Sequence, residues 1–189
     1  MLHKIEFMET KEQTHSNPYL QAASRYGVYL GLMLIGVQTI QYLAGLYISF
    51  VFSILAGSLF IAGLVWLIRD FREHYLNGWL TYGEGVRIGA ISSLAAGFLY
   101  GAFMLLLVLV IDKSFIDEYL IQTQEVMESS GLPDEEIEKA MDQLQEGSNP
   151  WAYGYGPIMQ YGITGLLISL IASIFLRKDP ANSFDKDTQ

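Results

Sequence analysis

The sequence contains no cysteine and only three histidines. Without a thiol, the chain can form no disulfide bond and no thiolate metal site. His3, His15 and His74 stand far apart and match neither the HExxH spacing nor the paired-histidine spacing of a metal site. The glycine run at residues 83–85 lacks the further glycines of a dinucleotide-binding loop. We therefore expect the protein to carry no metal ion and no cofactor.

Groups that could carry out catalysis are also few. An enzyme in or beside a membrane needs a nucleophile with a base, a metal site, or an acid and a base within reach of each other. Near the ends of the apolar runs, the candidate acids are Asp70, Glu84 and Asp112. Catalysis would require these acids to converge at one interface, and nothing in their spacing indicates that they do. We therefore expect that the protein is not an enzyme.

Charged residues are absent from three long stretches, although the chain has 11 basic and 20 acidic residues. The uncharged stretches are residues 26–68, 88–111 and 151–176. A helix needs about 20 residues to cross a bilayer core of about 30 Å, so the first stretch can cross twice and the others once each. We predict an all-α, polytopic membrane protein with four transmembrane helices in contact with the lipid bilayer.

The boundaries of the predicted segments follow from polarity and from helix start signals. Residues 1–16 and 179–189 are polar and are predicted to be tails, and residues 17–178 form the transmembrane domain. Asn17-Pro18 is a helix start, with Asn as N-cap and Pro at the first helical position. The predicted spans are residues 26–45, 48–68, 88–111 and 156–176, with a loop at residues 112–149 between helices three and four.

Basic residues are distributed unevenly between the two sides of the predicted bundle. Nine of them lie before span one, between spans two and three, or after span four, whereas loop 112–149 has only Lys113 and Lys139. Short cytoplasmic loops are enriched in Lys and Arg. Both termini are therefore predicted to be cytoplasmic, with loop 112–149 on the outer side.

Loop 112–149 is strongly acidic, with eleven Asp and Glu residues against two Lys. No basic face is left to bind phosphates, so we expect no nucleic-acid partner. The acids lack the DxDxDG spacing of a calcium loop and are typical of solvated helix faces. The alternatives are that the loop concentrates cations or docks a basic protein.

Apolar residues in this loop recur at helical spacing and predict a short helical hairpin. A first helix ends near Gly131, and Pro133 with the acids after it starts a second helix. The apolar positions are Ile116, Tyr119, Leu120, Val126 and Met127 in the first helix, and Ile137, Ala140, Met141 and Leu144 in the second. Residues 147–156 are rich in aromatic side chains and are predicted to return the chain to the membrane.

Helix three combines a start signal with a regular pattern of small residues. Thr81 and Glu84 have the spacing of a capping box, and Glu84 could also pair with Arg87. Small residues then recur at every fourth position: Gly85, Gly89, Ser93, Gly97 and Gly101. We call these five residues the α3 stripe. Such a stripe lets another helix approach closely within lipid.

Shorter stripes of the same kind occur in the other three spans. They are Gly27 and Gly31 in span one, Ser49, Ser53 and Gly57 in span two, and Gly165, Ser169 and Ser173 in span four. A compact four-helix bundle would explain all of these stripes. The alternative is that helix three associates with a second copy of the chain or with another membrane protein through its stripe.

The spans contain no ionisable Asp, Glu, Lys, Arg or His, but they do contain glutamines. Gln38 and Gln41 share one face of span one, and Gln160 lies in span four. An amide in lipid needs a hydrogen-bond partner, so these side chains are expected to bond to a neighbouring helix. The alternative is that they line a polar path for a small solute or ion.

Several short motifs occur in a characteristic order along the chain. They are Asn17-Pro18-Tyr19, Thr81-Tyr82-Gly83-Glu84-Gly85, Ile111-Asp112, Gly131-Leu132-Pro133 and Leu176-Arg177-Lys178. In this order and spacing, residues 17–178 resemble the bacterial domain of unknown function family 4199. Members of that family are predicted inner-membrane proteins, mostly from Bacteroidota, so the resemblance implies the same four-span architecture in the bacterial inner membrane. With both termini cytoplasmic, as the basic residues predict, loop 112–149 is then expected in the periplasm. The resemblance implies no activity.

Two functions are therefore open at the level of sequence. The first is an accessory or scaffold subunit of the inner membrane, which acts through helix packing and through its outer acidic loop. The alternative is a transporter for a small solute or ion, with a polar path at Gln38, Gln41 and Gln160. A water-accessible cavity that reaches these glutamines would favour the alternative.

Overall fold

A computed structural model describes residues 18–178 of the chain. The predictions for the tails at residues 1–16 and 179–189, and for Asn17 as a helix cap, lie outside this range. The helices are α1 (Pro18–Leu43), α2 (Phe50–Tyr75), α3 (Tyr82–Leu106), α4 (Phe115–Ser129), α5 (Asp134–Gly147) and α6 (Ala152–Leu176). A π-helical turn, Leu107–Ile111, extends α3.

The described residues form only helices and no strand, which confirms the prediction of an all-α fold. The helices α1, α2, α3 with its π-helical turn, and α6 are each long and apolar enough to cross a membrane. We therefore treat the chain as a four-span membrane protein. The end of the bundle that bears α4 and α5 is called the hairpin end, and the end that bears Pro18 and Lys178 is called the terminus end.

Helix α3 lies at the centre of the bundle and packs against both α1 and α6. Helix α2 is different, because its buried side chains begin only at Phe60, ten residues after the start of the helix. They are Phe60, Leu64, Leu67, Ile68 and Phe71. In the first half of α2, Phe50 is 79% exposed and Val51 is 72% exposed. The bundle is thus closed on all sides at the terminus end and less closely packed at the hairpin end.

The start of α3 has the predicted capping box. The Thr81 backbone N–H donates to Glu84 Oε2 over 2.9 Å, and the Glu84 backbone N–H donates to Thr81 Oγ1 over 3.4 Å. These two bonds satisfy donors that the first turn of a helix leaves without partners. The Glu84 carboxylate is used in this cap, and it forms no ion pair with Arg87 in the described part of the chain.

Helix α2 continues past residue 68, the predicted end of span two, as far as Tyr75. Its polar last turns are held by the rest of the bundle. Tyr26 Oη donates to Asp70 Oδ2 over 2.5 Å, and Arg72 Nη1 donates to the Leu176 carbonyl oxygen over 3.1 Å. The helix therefore extends beyond its apolar stretch because α1 and α6 supply partners for its polar groups.

Helix α6 begins at Ala152, earlier than the predicted start of span four at residue 156. The turn before it is fixed by Asn149, whose Oδ1 accepts from the Trp151 backbone N–H over 3.0 Å. Pro157 consequently lies inside the helix, although its position near the start limits the disruption to the first turns.

The loop after α3 contains the predicted helical hairpin, α4 and α5. The turn between them has Gly131 at φ +74°, a conformation that favours glycine, and Pro133 immediately precedes α5. Phe115 of α4 and Ile137 of α5 are buried. Acidic residues occupy the first turn of both helices, where they complement the helix dipole.

At the terminus end, a backbone bridge joins the loop before α3 to the residue that follows α6. The Leu80 N–H donates to the Lys178 carbonyl oxygen over 3.1 Å, and the Lys178 N–H donates back over 2.9 Å. The Lys178 ammonium group lies 5.7 Å from the centre of the Trp79 ring. This bridge ties the start of α3 to the end of α6.

Candidate functional site

A cavity of about 700 Å³ lies in the hairpin half of the bundle, between α1, α2, α3 and α6 and below the hairpin. Its walls combine apolar side chains with polar, uncharged ones. No Asp, Glu, Lys, Arg or His is among the lining residues. The polar lining residues are Gln38, Gln41, Tyr47, Ser53, Tyr100, Tyr119, Gln143, Ser148, Tyr153, Gln160, Tyr161 and Thr164.

The three glutamines singled out in the sequence all line this cavity. Gln38 Oε1 accepts a hydrogen bond from Tyr100 Oη over 2.8 Å, so α1 and α3 are joined at this point. Gln41 Nε2 donates to the Tyr47 carbonyl oxygen over 3.4 Å, which is a long bond. Gln160 is exposed and has no hydrogen-bond partner among residues 18–178. Only Gln38 therefore bonds to a neighbouring helix in the expected way.

Aromatic side chains form the floor of the cavity. Phe60 of α2 is 1% exposed, and the centre of its ring lies 4.9 Å from that of Tyr161 in α6. The Tyr161 ring in turn meets the Tyr100 ring edge-on, with their centres 5.6 Å apart. Below this floor, the buried side chains of α2 fill the terminus half of the bundle. The cavity is therefore closed toward the terminus end.

The helical hairpin forms the roof, through Tyr119 of α4 and Gln143 and Leu144 of α5. A single side chain fixes α4 to the loop between α1 and α2. Gln122 Nε2 donates to the Gly45 carbonyl oxygen over 2.8 Å, and Gln122 Oε1 accepts from the Ile48 backbone N–H over 3.2 Å. The nitrogen and the oxygen of one side-chain amide thus both join the roof to this loop.

Asp112 stands beside the roof and organises the junction between α3 and α4. Its Oδ1 accepts from the backbone N–H of Ser114 over 3.0 Å and from the Ser114 hydroxyl over 2.6 Å. Its Oδ2 accepts from Tyr42 Oη over 3.1 Å. The bond from the Ser114 hydroxyl is the main reason that the pKa of Asp112 lies below its usual value, while burial acts in the opposite direction. Burial and then the Asp112 charge raise the pKa of Tyr47.

The three candidate catalytic acids do not come together. Asp112 lies at the hairpin end, whereas Asp70 and Glu84 lie at the terminus end, where each already has a partner. Asp70 accepts from Tyr26 Oη and lies 3.2 Å from His74 Nδ1. Within residues 18–178, no group of three His, Asp or Glu side chains is placed to hold a metal ion.

The α3 stripe faces α6 of the same chain. A Cβ atom added at Gly97 would lie 3.0 Å from the Pro157 carbonyl oxygen, and one added at Gly89 would meet the Ser169 side chain. Glycine and serine alternate across this contact, as Gly85 with Ser173 and Gly165 with Ser93. Helix α6 therefore fills the stripe, and a second copy of the chain has no access to it while α6 is in place.

Sequence reasoning missed the aromatic hydroxyl groups of the site. Tyr47, Tyr100 and Tyr161 line the cavity beside the glutamines, but none of them stood out from the twelve tyrosines of the chain. A usable signal exists for Tyr100 and Tyr161, because each places a hydroxyl group deep within an apolar span, where it needs a partner.

Two comparisons with known proteins find no match: no curated protein and no solved structure resembles the chain. A comparison with protein families does find one, at residues 25–178, which are most of the chain and include most of the first span and all of the other three. The matching family is described as a protein of unknown function (DUF4199). The resemblance drawn from the ordered motifs is thereby confirmed, and the chain belongs to the DUF4199 family.

Proposed function

We propose that the protein is an integral membrane protein that binds an uncharged small molecule in the cavity below its hairpin. The observation that carries this proposal is the convergence of Gln38, Gln41 and Gln160, from two helices, on one cavity of about 700 Å³. Ligand cavities typically measure about 300 to 1,000 Å³ and combine apolar walls with a few polar groups. This arrangement favours the small-solute function over the scaffold function.

The neutral lining decides which kind of molecule suits the cavity. A charged ligand buried in an apolar site needs an opposite charge or a dense set of hydrogen bonds. The lining offers amides and hydroxyl groups but no acid, Lys, Arg or His. An amide both donates and accepts hydrogen bonds, so it suits hydroxyl, carbonyl and ester groups. The proposal is therefore for a neutral ligand and not for an ion.

The closed floor limits what the protein can do with its ligand in this conformation. Phe60 and Tyr161 separate the cavity from the buried core of the terminus half. Passage across the membrane would require α2 to move away from α6 at this point. The cavity in its present form supports binding, and transport would need a second conformation.

The proposed cellular location is the bacterial inner membrane, with both termini in the cytoplasm. Support comes from the excess of Lys and Arg outside loop 112–149. In this orientation, the cavity opens within the outer half of the bilayer, and the acidic hairpin faces the periplasm. The orientation can be tested with a reporter that works only in the cytoplasm. The reporter is fused to the C-terminus, where it should be active, and in a matched variant to loop 112–149, where it should be inactive.

The test of the proposal is to purify the tagged protein in a mild detergent and to identify retained small molecules by native mass spectrometry. We expect a bound neutral molecule in the wild-type protein and at least a tenfold loss of occupancy in Gln160→Leu. Gln124→Leu is the matched control, because Gln124 is exposed on α4, bonds to Glu128 and does not line the cavity. Equal occupancy in all three proteins, or no retained molecule in any, would contradict the proposal.

A second candidate function is that of an accessory subunit, carried by the exposed acidic faces of α4 and α5. Loop 112–149, which contains both helices, has eleven acidic residues against two lysines, and this charge suits a basic partner. The hairpin is the surface for such a role, because α6 already covers the α3 stripe. The same purification tests it: a stoichiometric protein partner that dissociates at high salt would support this function.

A further inference from the structure

The helices that surround the cavity do not all pack equally closely against one another. Helices α1 and α3 approach closely, since a Cβ atom at Gly27 would lie 2.5 Å from the Ala95 Cβ. Helices α3 and α6 meet along the α3 stripe. Helices α1 and α2 are bridged at the hairpin end by the loop 44–49, where the rings of Tyr42 and Tyr47 lie 6.1 Å apart. The contact between α2 and α6, by contrast, is open toward the hairpin end.

Helices α2 and α6 leave open space between them on the hairpin side of Phe60 and Tyr161. Gly57 of α2 and Gly156 of α6 both line the cavity, and a Cβ atom at either position would meet nothing within 4 Å. Ser53 and Gln160, which face the same cavity, are exposed. The two helices come into contact at Phe60 and Tyr161. We call the opening above this contact the α2–α6 gap.

The α2–α6 gap lies at the depth of the lipid chains. At 1.5 Å per residue, Gln160 lies about 12 Å and Phe60 about 15 Å from the hairpin ends of their helices. A bilayer core is about 30 Å thick, so the gap extends from the interface to about the middle of the bilayer. Exposed apolar side chains flank it, including Ile54 on α2 and Met159 and Ile163 on α6. Its surroundings are therefore lipid, while the hairpin covers the cavity on the side of the aqueous phase.

We propose that the ligand is a neutral amphiphile of the bilayer, with a hydroxyl or ester head and an apolar chain, which enters sideways through the α2–α6 gap. This inference rests on the proposed binding function and specifies its ligand. The head bonds to the amide of Gln160, which has no hydrogen-bond partner in the described range 18–178, and to the hydroxyl and amide groups around Gln38. The chain lies over Phe60 and leaves through the gap between Gly57 and Gly156.

The test is photo-crosslinking of the full-length protein in phosphatidylcholine vesicles. One probe is a monoacylglycerol with a diazirine in its chain, and the other is a water-soluble glycerol ether with the same diazirine and no long chain. Crosslinked peptides are identified by mass spectrometry. We expect the monoacylglycerol to label residues 50–61 and 152–164, and unlabelled monoacylglycerol to compete at least tenfold.

Variants that fill the gap make the test specific. Gly57→Phe and Gly156→Phe place a ring where a Cβ atom meets nothing within 4 Å, so the fold tolerates them while the gap closes. Labelling of both segments should fall at least fivefold. Gly36→Phe is the matched control, since Gly36 also has open space around it but does not line the cavity, and its labelling should equal that of the wild type.

The outcomes separate the inference from the proposed function. If only the water-soluble probe labels the cavity and competes, the ligand enters from water, so the inference is wrong and the proposed function stands. If neither probe shows competition and no small molecule is retained on purification, both are wrong. If Gly36→Phe lowers labelling as much as Gly57→Phe does, the label reports general lipid contact and the inference is wrong.

Discussion

Helices α2 and α3 carry the same sequence pattern but use it in opposite ways. Small residues at every fourth position in α3 lie against α6, and Gly89 and Gly97 have no room for a side chain. In α2, Ser53 and Gly57 line an open cavity, and a Cβ atom added at Gly57 would meet nothing within 4 Å. A stripe of small residues therefore permits close approach without causing it.

The difference comes from the side chains opposite and below each stripe. Helix α6 presents Gly165, Ser169 and Ser173 to α3, so both backbones can come close together. Between α2 and α6, the rings of Phe60 and Tyr161 meet with their centres 4.9 Å apart, and on the hairpin side of this contact Gly57 and Gly156 have open space around them. The stripe of α3 thus faces small residues, whereas the small residues of α2 end at a pair of large aromatic rings.

The largest expected effect comes from filling the closed stripe. Gly89→Leu forces a side chain into Ser169 and Ile68, and it should lower the free energy of unfolding by about 3 kcal/mol. For a chain of this size, the melting temperature should then fall by about 10 °C. Tryptophan fluorescence during heating in detergent measures this.

Gly57→Leu is the matched control for this prediction, since its Cβ atom enters open space. Its melting temperature should stay within about 1 °C of the wild type, since substitutions away from packed sites change stability little. Equal effects of the two leucines would mean that the two stripes do not differ in packing.

The next effect concerns the aromatic contact between α2 and α6 that forms the floor of the cavity. Phe60→Ala removes a ring that is 1% exposed and should cost about 2 kcal/mol of unfolding free energy. We expect less than in a water-soluble core, because the chain remains in lipid and only the packing contacts are lost. Phe98→Ala is the control, since Phe98 is 67% exposed on α3. If the two variants melt alike, Phe60 does not hold the floor.

A smaller effect is expected from a buried hydroxyl group. Ser92 Oγ donates to the Ala23 carbonyl oxygen over 3.0 Å and joins α3 to α1. Ser92→Ala should cost about 0.6 kcal/mol, the average for an interhelical hydrogen bond in a membrane. Ser53→Ala, on the open side, removes only a bond to its own helix and should cost nothing measurable. A larger cost for Ser53→Ala would reverse the comparison.

The smallest effect is a dependence on pH at the hairpin end. Because the pKa of Asp112 is lowered in the folded protein, its contribution to stability is present above its ordinary pKa, near 4, and is lost as the pH falls through the lowered value. Hydrogen exchange of residues 112–116 should therefore quicken below about pH 4 relative to the terminus end. In Asp112→Asn, this difference between acidic and neutral pH should disappear, whereas its persistence would assign the effect to another group.

Much of the fold could be predicted because it depends on local signals. The uncharged stretches indicate four membrane-spanning helices, the Thr81 and Glu84 pair marks the start of α3, and Gly131 and Pro133 mark the hairpin. Each signal acts through neighbouring residues or through contact with lipid. The end of α2 was less well predicted, because Asp70 and Arg72 are held by residues far along the chain.

The candidate site was only partly predictable. The polarity of Gln38, Gln41 and Gln160 indicated that they need partners, and the structure places all three on one cavity. The cavity itself ends where α2 meets α6, at the contact of Phe60 with Tyr161. These two residues are 101 positions apart, and no local pattern relates them.

The amide of Gln122 has a mechanical consequence. It bonds to the carbonyl oxygen of Gly45 and to the N–H of Ile48, so α4 is tied to the loop that leads into α2. A movement of the hairpin away from the bundle would have to break these two hydrogen bonds or carry the loop with it. That loop leads into α2, the helix that forms one side of the α2–α6 gap.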